Sequence, residues 1–167
     1  MLIRPATEAD CPGIIEIENR EIAENFAHFG QTPTALEQCV SNFRARGKHP
    51  WYVAEEDGLI VGYAKAGPWR VRESYQFSCE VGVYIRPEWQ GKRVGRLLYE
   101  QLIPAVRASG FRTIVAGIAQ PNPASVRLHE SFGMKYVGTL PDVGFKFGKW
   151  ISVGYWVIHW DDEACNL

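Results

Sequence analysis

Residues 81–98, VGVYIRPEWQGKRVGRLL, constrain the fold more than any other stretch of the chain. Val81, Val83 and Ile85 alternate with Gly82 and Tyr84 in a β-branched and aromatic run, which reads as a strand. Arg86-Pro87-Glu88 ends it, because proline has no N–H for a ladder and drives the residue before it to extended geometry. Gly91 and Gly95 flank the basic pair Lys92-Arg93, and Val94, Leu97, Leu98 and Leu102 then recur at helical spacing. A glycine-containing loop that feeds a helix start presents unpaired backbone N–H groups and the positive end of a helix dipole, which together suit a phosphate.

The other elements fall on either side. Residues 2–4 read as a short strand ended by Pro5. Thr7 is a helix cap with Asp10 as its capping-box partner, and Cys11, Ile14, Ile15 and Ile22 share a helical face up to about Glu24. Asn25-Phe26-Ala27-His28-Phe29-Gly30 is an aromatic loop whose phenylalanines either tuck beneath it or line a pocket. A second helix is expected over residues 34–46, starting near Thr32 or Thr34 and closed by Gly47. Residues 51–55 and 59–66 form a hairpin across Glu56-Asp57-Gly58. A loop with Arg70, Arg72, Glu73 and Tyr75 leads to a central strand over residues 77–85. The helix after the glycine loop runs to about Ser109, kinked or shortened at Pro104, which cannot bond the Glu100 carbonyl. Residues 113–118 are a strand. Asn122 and Pro123 fit the N-cap and first position of a helix that ends at Gly133. Strands over residues 134–139 and 150–160 follow, with residues 141–149 read as a loop. The order, β-α-α-β-β-β-α-β-α-β-β, is a mixed α/β domain spanning residues 1–167.

Composition narrows the function. The chain has 167 residues, 46% hydrophobic and 22% charged, enough to bury a core. A formal net charge of -1 gives no basic field for nucleic acid. The N-terminus turns acidic at once, and no apolar run approaches the roughly 18 residues of a membrane span, so a cytoplasmic protein without membrane attachment is expected. Cys11, Cys39, Cys79 and Cys165 lie far apart, and His28, His49, His129 and His159 are equally scattered, so no metal spacing arises and the thiols read as reduced and inert.

With these segments in view, the chain resembles the GCN5-related N-acetyltransferase (GNAT) superfamily. The order of elements matches over essentially its whole length. The family signature stands as Gln90-Gly91-Lys92-Arg93-Val94-Gly95, with Arg93 where the family has glycine. Residues 66–70 (AGPWR), 119–130 (AQPNPASVRLHE) and 144–156 (GFKFGKWISVGYW) look like the phosphinothricin and methionine sulfone N-acetyltransferase subfamily. The resemblance implies a mostly antiparallel sheet flanked by helices, with two strands splayed at the coenzyme site. It also implies acetyl-CoA as donor, a small amino acid analogue as acceptor, and a homodimer.

Carried over residue by residue, the resemblance assigns the pyrophosphate to the backbone of Gln90, Gly91, Lys92, Arg93, Val94, Gly95 and Arg96. It assigns the pantetheine arm to Val83, Tyr84 and Ile85, with Asn122 and Ser125 beside it; Asn122 also serves as a plain N-cap. A Walker loop is disfavoured, because Lys92 is followed by Arg93 instead of Ser or Thr. Arg93 costs about 1 kcal/mol only if its φ must be positive. Acetyl transfer needs a base for the acceptor ammonium. Glu80, set among Phe77, Cys79, Val81 and Val83, matches a proposed catalytic glutamate of the subfamily; its alternative is a structural pair with an arginine. His129 stands where many relatives place a tyrosine that protonates the leaving thiolate, and is otherwise a packed helix histidine. Phe29, Arg72 and Tyr75 match acceptor-contacting positions, whereas His28 departs from the usual asparagine. Lys146 and Lys149 are expected at the pocket rim, at a dimer contact or in solvent. Two other functions stay open: acetylation of a polyamine, peptide or protein N-terminus, and an acyl-CoA-binding module without catalysis.

Overall fold

The computed structural model describes residues 1–161, so Cys165 lies outside the described residues. Strand β1 (Leu2–Pro5) leads through a 3₁₀ turn (Glu8–Asp10) to α1 (Cys11–Glu24) and α2 (Leu36–Arg44). The hairpin β2 (Trp51–Glu56) and β3 (Leu59–Pro68) turns at Asp57 and Gly58, whose φ values of 50° and 78° are the two left-handed positions a tight hairpin requires. Then come β4 (Ser78–Ile85), α3 (Val94–Ala108), β5 (Thr113–Ala119), α4 (Pro123–Ser131), β6 (Lys135–Lys146) and β7 (Lys149–His159). The seven strands lie in the order β1-β2-β3-β4-β5-β7-β6, and every neighbouring pair is antiparallel except β4 and β5.

Alternation along the strands builds a core on each face of the sheet. Val53 and Tyr63 join Cys11, Ile14 and Ile17 of α1 and Phe43 of α2, while their chain neighbours Ala54 and Ala64 join Leu98, Tyr99 and Leu102 of α3. Leu98 and Leu102 are fully buried, and each side chain of this kind contributes roughly 1.5–3 kcal/mol. Thr7 caps the first turn as expected: its N–H donates to Asp10 Oδ2 at 2.7 Å and its hydroxyl at 2.9 Å. Helix α3 continues through Pro104, which faces solvent.

Two expectations change. Thr34 does not cap α2; its hydroxyl donates to Glu18 at 2.7 Å and its N–H to Asn19 at 2.7 Å, and the helix starts two residues later. Residues 141–149 are not a loop either. β6 runs on to Lys146 and reverses at Phe147 and Gly148, with φ of 50° and 72°. Pro141 and Gly144 read as breakers, yet β6 is an edge strand with register shifts between Tyr136 and Gly138 and between Leu140 and Gly144. Edge positions and bulges are where a sheet tolerates proline.

Candidate active site

The parallel pairing of β4 and β5 covers only Ser78 with Thr113, Cys79 with Ile114 and Glu80 with Val115. Beyond Glu80, β4 stays paired to β3 as far as Ile85, while β5 stays paired to β7 as far as Ala119. The sheet therefore splits, and the edge of β4 from Val81 onward has no strand beside it. A cleft of about 1950 Å³ passes through the split, lined by Glu80, Val83, Tyr84 and Ile85 on one side and by Gly117, Ile118, Asn122 and Ser125 on the other. Unpaired main-chain amides of this kind can take up an extended ligand that carries amides of its own.

At one mouth of the cleft stands the glycine loop. Gly91 and Arg93 both adopt left-handed backbone, with φ of 74° and 66°. The first main-chain bond of α3 runs from the Leu97 N–H to the Arg93 carbonyl, leaving the Val94, Gly95 and Arg96 amides without a partner inside the helix. A left-handed turn ahead of free helix-start amides is an anion nest. Gly95 has a packing reason too: a Cβ there would stand 3.2 Å from Leu128 Cδ2, so glycine lets α4 close against α3. Gln90 donates to the Ile85 carbonyl at 3.4 Å and ties the loop to the end of β4. Arg93 and Arg96 line the cleft, whereas Lys92 lies over the Trp89 ring at 4.6 Å and does not.

Glu80 faces the cleft from the last paired position of β4. Among the described residues no hydrogen-bonding or ion-pair partner holds its carboxylate, so the structural arginine pair expected as its alternative is not formed. Its Oε1 would lie 3.4 Å from a Cβ on Gly117 of β5; the bare glycine makes the space. Tyr155 of β7 also lines the cleft and meets Trp69 edge to face at 5.6 Å, and Arg70 lies over Trp69 at 4.8 Å. Partial loss of water in the cleft pushes the Glu80 carboxyl above the ordinary carboxylate value, with Arg70 opposing the shift. Next to it, buried Cys79 has its thiol pushed up to about 12 by loss of water, which leaves it inert at neutral pH.

His129 also lines the cleft but is only 3% exposed. Its Nδ1 is 2.7 Å from the Ser125 carbonyl, which can only accept, so Nδ1 carries the proton. Nε2 then accepts from the Tyr99 hydroxyl at 2.9 Å. Burial lowers the imidazole below its ordinary value, with the Ser125 bond opposing, and the ring is held neutral. Both nitrogens are engaged within the protein, unlike a donor aimed at a ligand. Asn122 caps α4, its Oδ1 accepting from the Ser125 N–H at 3.1 Å, and still faces the cleft.

The opposite wall is the loop after α1. Asn25, Phe26, His28 and Phe29 line the cleft, and the His28 ring tilts against Tyr84 at 5.6 Å. Arg72 and Tyr75 are not brought to the cleft in the single chain. They sit exposed on the loop that leaves β3 after Gly67 and Pro68, which do line it. Gly117, Tyr155 and Trp150 were missed in the sequence, although a glycine inside a β-branched run is itself a sign of close approach. No group of three or more His, Cys, Asp or Glu side chains among the described residues is arranged to hold a metal ion.

A split sheet, an anion nest and a lone carboxylate between them are what a comparison with known proteins can decide. Residues 14–134 match the Acetyltransferase (GNAT) family. The chain belongs to that family. This acetyltransferase is 39% identical over 155 residues to the phosphinothricin N-acetyltransferase of Streptomyces viridochromogenes, covering 92% of this chain and 85% of that protein. It is 36% identical over 166 residues to the L-methionine sulfoximine/L-methionine sulfone acetyltransferase of Salmonella typhimurium, covering 98% and 97%. A solved Salmonella typhimurium acetyltransferase with its cofactor acetyl-CoA superposes with a TM-score of 0.94 at 36% identity, over 98% of this chain and 96% of that one.

Proposed function

We propose that this acetyltransferase moves an acetyl group from acetyl-CoA to the amino group of a small amino acid analogue of the phosphinothricin or methionine sulfone type. The observation that carries the reading is the unpartnered Glu80 carboxylate at the point where the sheet splits, opposite Gly117. The residues present fit the donor: the free edge of Val83, Tyr84 and Ile85 suits the pantetheine amides, with Asn122 and Ser125 across the split. The amides after Gly91 and Arg93 suit the pyrophosphate, with Arg93 and Arg96 adding charge. When bound, acetyl-CoA supplies a thioester whose carbonyl carbon accepts the amine and whose thiolate departs.

The chain's own contribution is to bind, orient and move one proton. Glu80, ionised, accepts a proton from the acceptor ammonium, directly or through one water, and so frees the nitrogen lone pair for attack. Its raised pKa makes it a stronger base than an ordinary carboxylate. Phe26 and Phe29 offer the acceptor's side chain an apolar wall. Arg72 and Tyr75, which lie outside the cleft of the single chain, are proposed to reach the acceptor only across the homodimer, Arg72 through the fork that a carboxylate or phosphinate takes. His129 acts by holding α4 and Tyr99 in place.

The reading extends to a cytoplasmic homodimer acting in detoxification. Exposed Tyr136, Val137, Leu140, Val143, Phe145 and Trp150 on the β6–β7 hairpin form the apolar face on which a second copy would dock, and sedimentation tests it. Activity is tested by release of free thiol from acetyl-CoA with a panel of amines. Turnover of methionine sulfone or phosphinothricin supports the reading. Turnover of polyamines or peptides alone, or binding of acetyl-CoA without any transfer, overturns it.

A further inference from the structure

Lys146 was expected at the pocket rim, at a dimer contact or in solvent, yet within the single chain it is 4% exposed. Its Nζ donates to the main-chain carbonyls of Asn25 at 2.6 Å, His28 at 2.6 Å and Glu21 at 3.4 Å. An ammonium has three N–H donors and no acceptor, so all three are committed. The carbonyls lie at the C-terminal end of α1, whose dipole favours a cation, and in the loop that follows.

The residues beside Lys146 dock on the same loop. A Cβ on Gly144 would fall 2.5 Å from the Phe29 ring, so only glycine lets that ring approach β6 this closely. The Phe145 carbonyl accepts from Gln31 Nε2 at 3.2 Å, and Phe147 meets Phe26 edge to face at 5.3 Å. Four consecutive residues of the hairpin thus hold the loop that forms one wall of the cleft.

We propose that Lys146 is a positioning residue for acceptor specificity: by binding the Asn25 and His28 carbonyls it fixes Phe26, His28 and Phe29 in the wall that the acceptor meets. The assignment rests on the reading of residues 25–30 as the acceptor side of the cleft. Removing the ammonium takes this donor from the half-buried Asn25 and His28 carbonyls, and the loop leaves the hairpin to recover water. The coenzyme side, built on β4, the glycine loop and α4, has no part in these bonds.

The test compares wild type with Lys146→Met in two measurements. Hydrogen–deuterium exchange of the amides of residues 25–31 is expected to quicken at least about tenfold, with α3 unchanged. The acceptor KM is expected to rise about tenfold or more, while the acetyl-CoA KM stays within about twofold. Unchanged exchange in residues 25–31, or an acetyl-CoA KM that rises as much as the acceptor KM, overturns the proposal. If wild type acetylates no amino acid analogue, the proposed acceptor class fails, and the exchange measurement still decides the role of Lys146. Should Lys146→Met not fold, Lys146→Gln, which keeps two N–H donors, is read by the same two measurements against the same outcomes.

Discussion

Glu80 Oε1 stands 3.4 Å from the point where a Cβ on Gly117 would lie, in van der Waals contact with it. The two residues sit on the two strands that part company one position beyond Glu80. In Gly117→Ala the new methyl would meet the carboxylate at ordinary contact distance and come within 3.3 Å of Tyr155 Cε1, so the ring must give by a few tenths of an ångström. We expect normal folding and acetyl-CoA binding with kcat lowered by up to about tenfold, because the methyl and the shifted ring crowd the space in which Glu80 meets the acceptor. Steady-state kinetics beside a thermal melt separate the two effects.

The pH profile follows from the same carboxylate. Glu80 works as a base only when ionised, and its pKa is raised above 4.5 by loss of water. Activity therefore falls as pH drops through a value higher than that of an ordinary glutamate. The acid limb of kcat/KM is expected above pH 4.5 and is expected to vanish in Glu80→Gln. Rates measured from acid to neutral pH with both proteins check this.

The Tyr99–His129 bond leads to a split between stability and rate. His129→Phe strands the buried Tyr99 hydroxyl, at a cost of about 1–3 kcal/mol, whereas the Ser125 carbonyl keeps its main-chain bond inside α4. Its pH–rate profile is expected to keep its shape. Stability has the opposite sensitivity. The imidazole in the fold lies below the ordinary histidine value of 6.5, so below that pH the unfolded chain takes up a proton that the fold refuses. Wild type loses stability as pH falls from 6.5 towards the lowered value, and His129→Phe lacks that component. Denaturant melts across this range are the measurement.

Arg93 sits at φ 66°, where the resembling family has glycine. The left-handed conformation costs a non-glycine residue about 1–2 kcal/mol, partly offset by the extra freedom glycine gives the unfolded chain. Arg93→Gly is expected to gain up to about 1 kcal/mol in stability. Main-chain amides carry the nest, so the acetyl-CoA Kd is expected to stay within about threefold. Calorimetric titration and melts read both.

Most of this layout was legible in the sequence because its signals are local. The alternation of residues 81–85, the Asp57-Gly58 turn, the Asn122 cap and the glycine loop each act over a few residues, and the family resemblance tied them to one site. What escaped depends on contacts between distant segments. Lys146 reads as an ordinary loop lysine in the sequence, and only the fold brings three carbonyls from the far end of the chain around it. The β6–β7 hairpin was masked by Pro141 and Gly144, which are tolerated only because β6 is an irregular edge. His129 reads equally as a proton donor or as a packed helix histidine, because sequence position does not reveal that Ser125 and Tyr99 engage both nitrogens.

The account's central claim is that Glu80 takes the proton from an amino acid analogue in the split of the sheet. The most direct measurement is the turnover of methionine sulfone or phosphinothricin by wild type and Glu80→Gln at saturating acetyl-CoA, with acetyl-CoA binding measured on both proteins. The account predicts turnover by wild type, a loss of about 10²–10⁴-fold in the variant, and equal coenzyme affinity. A variant that turns over within about threefold of wild type would contradict it.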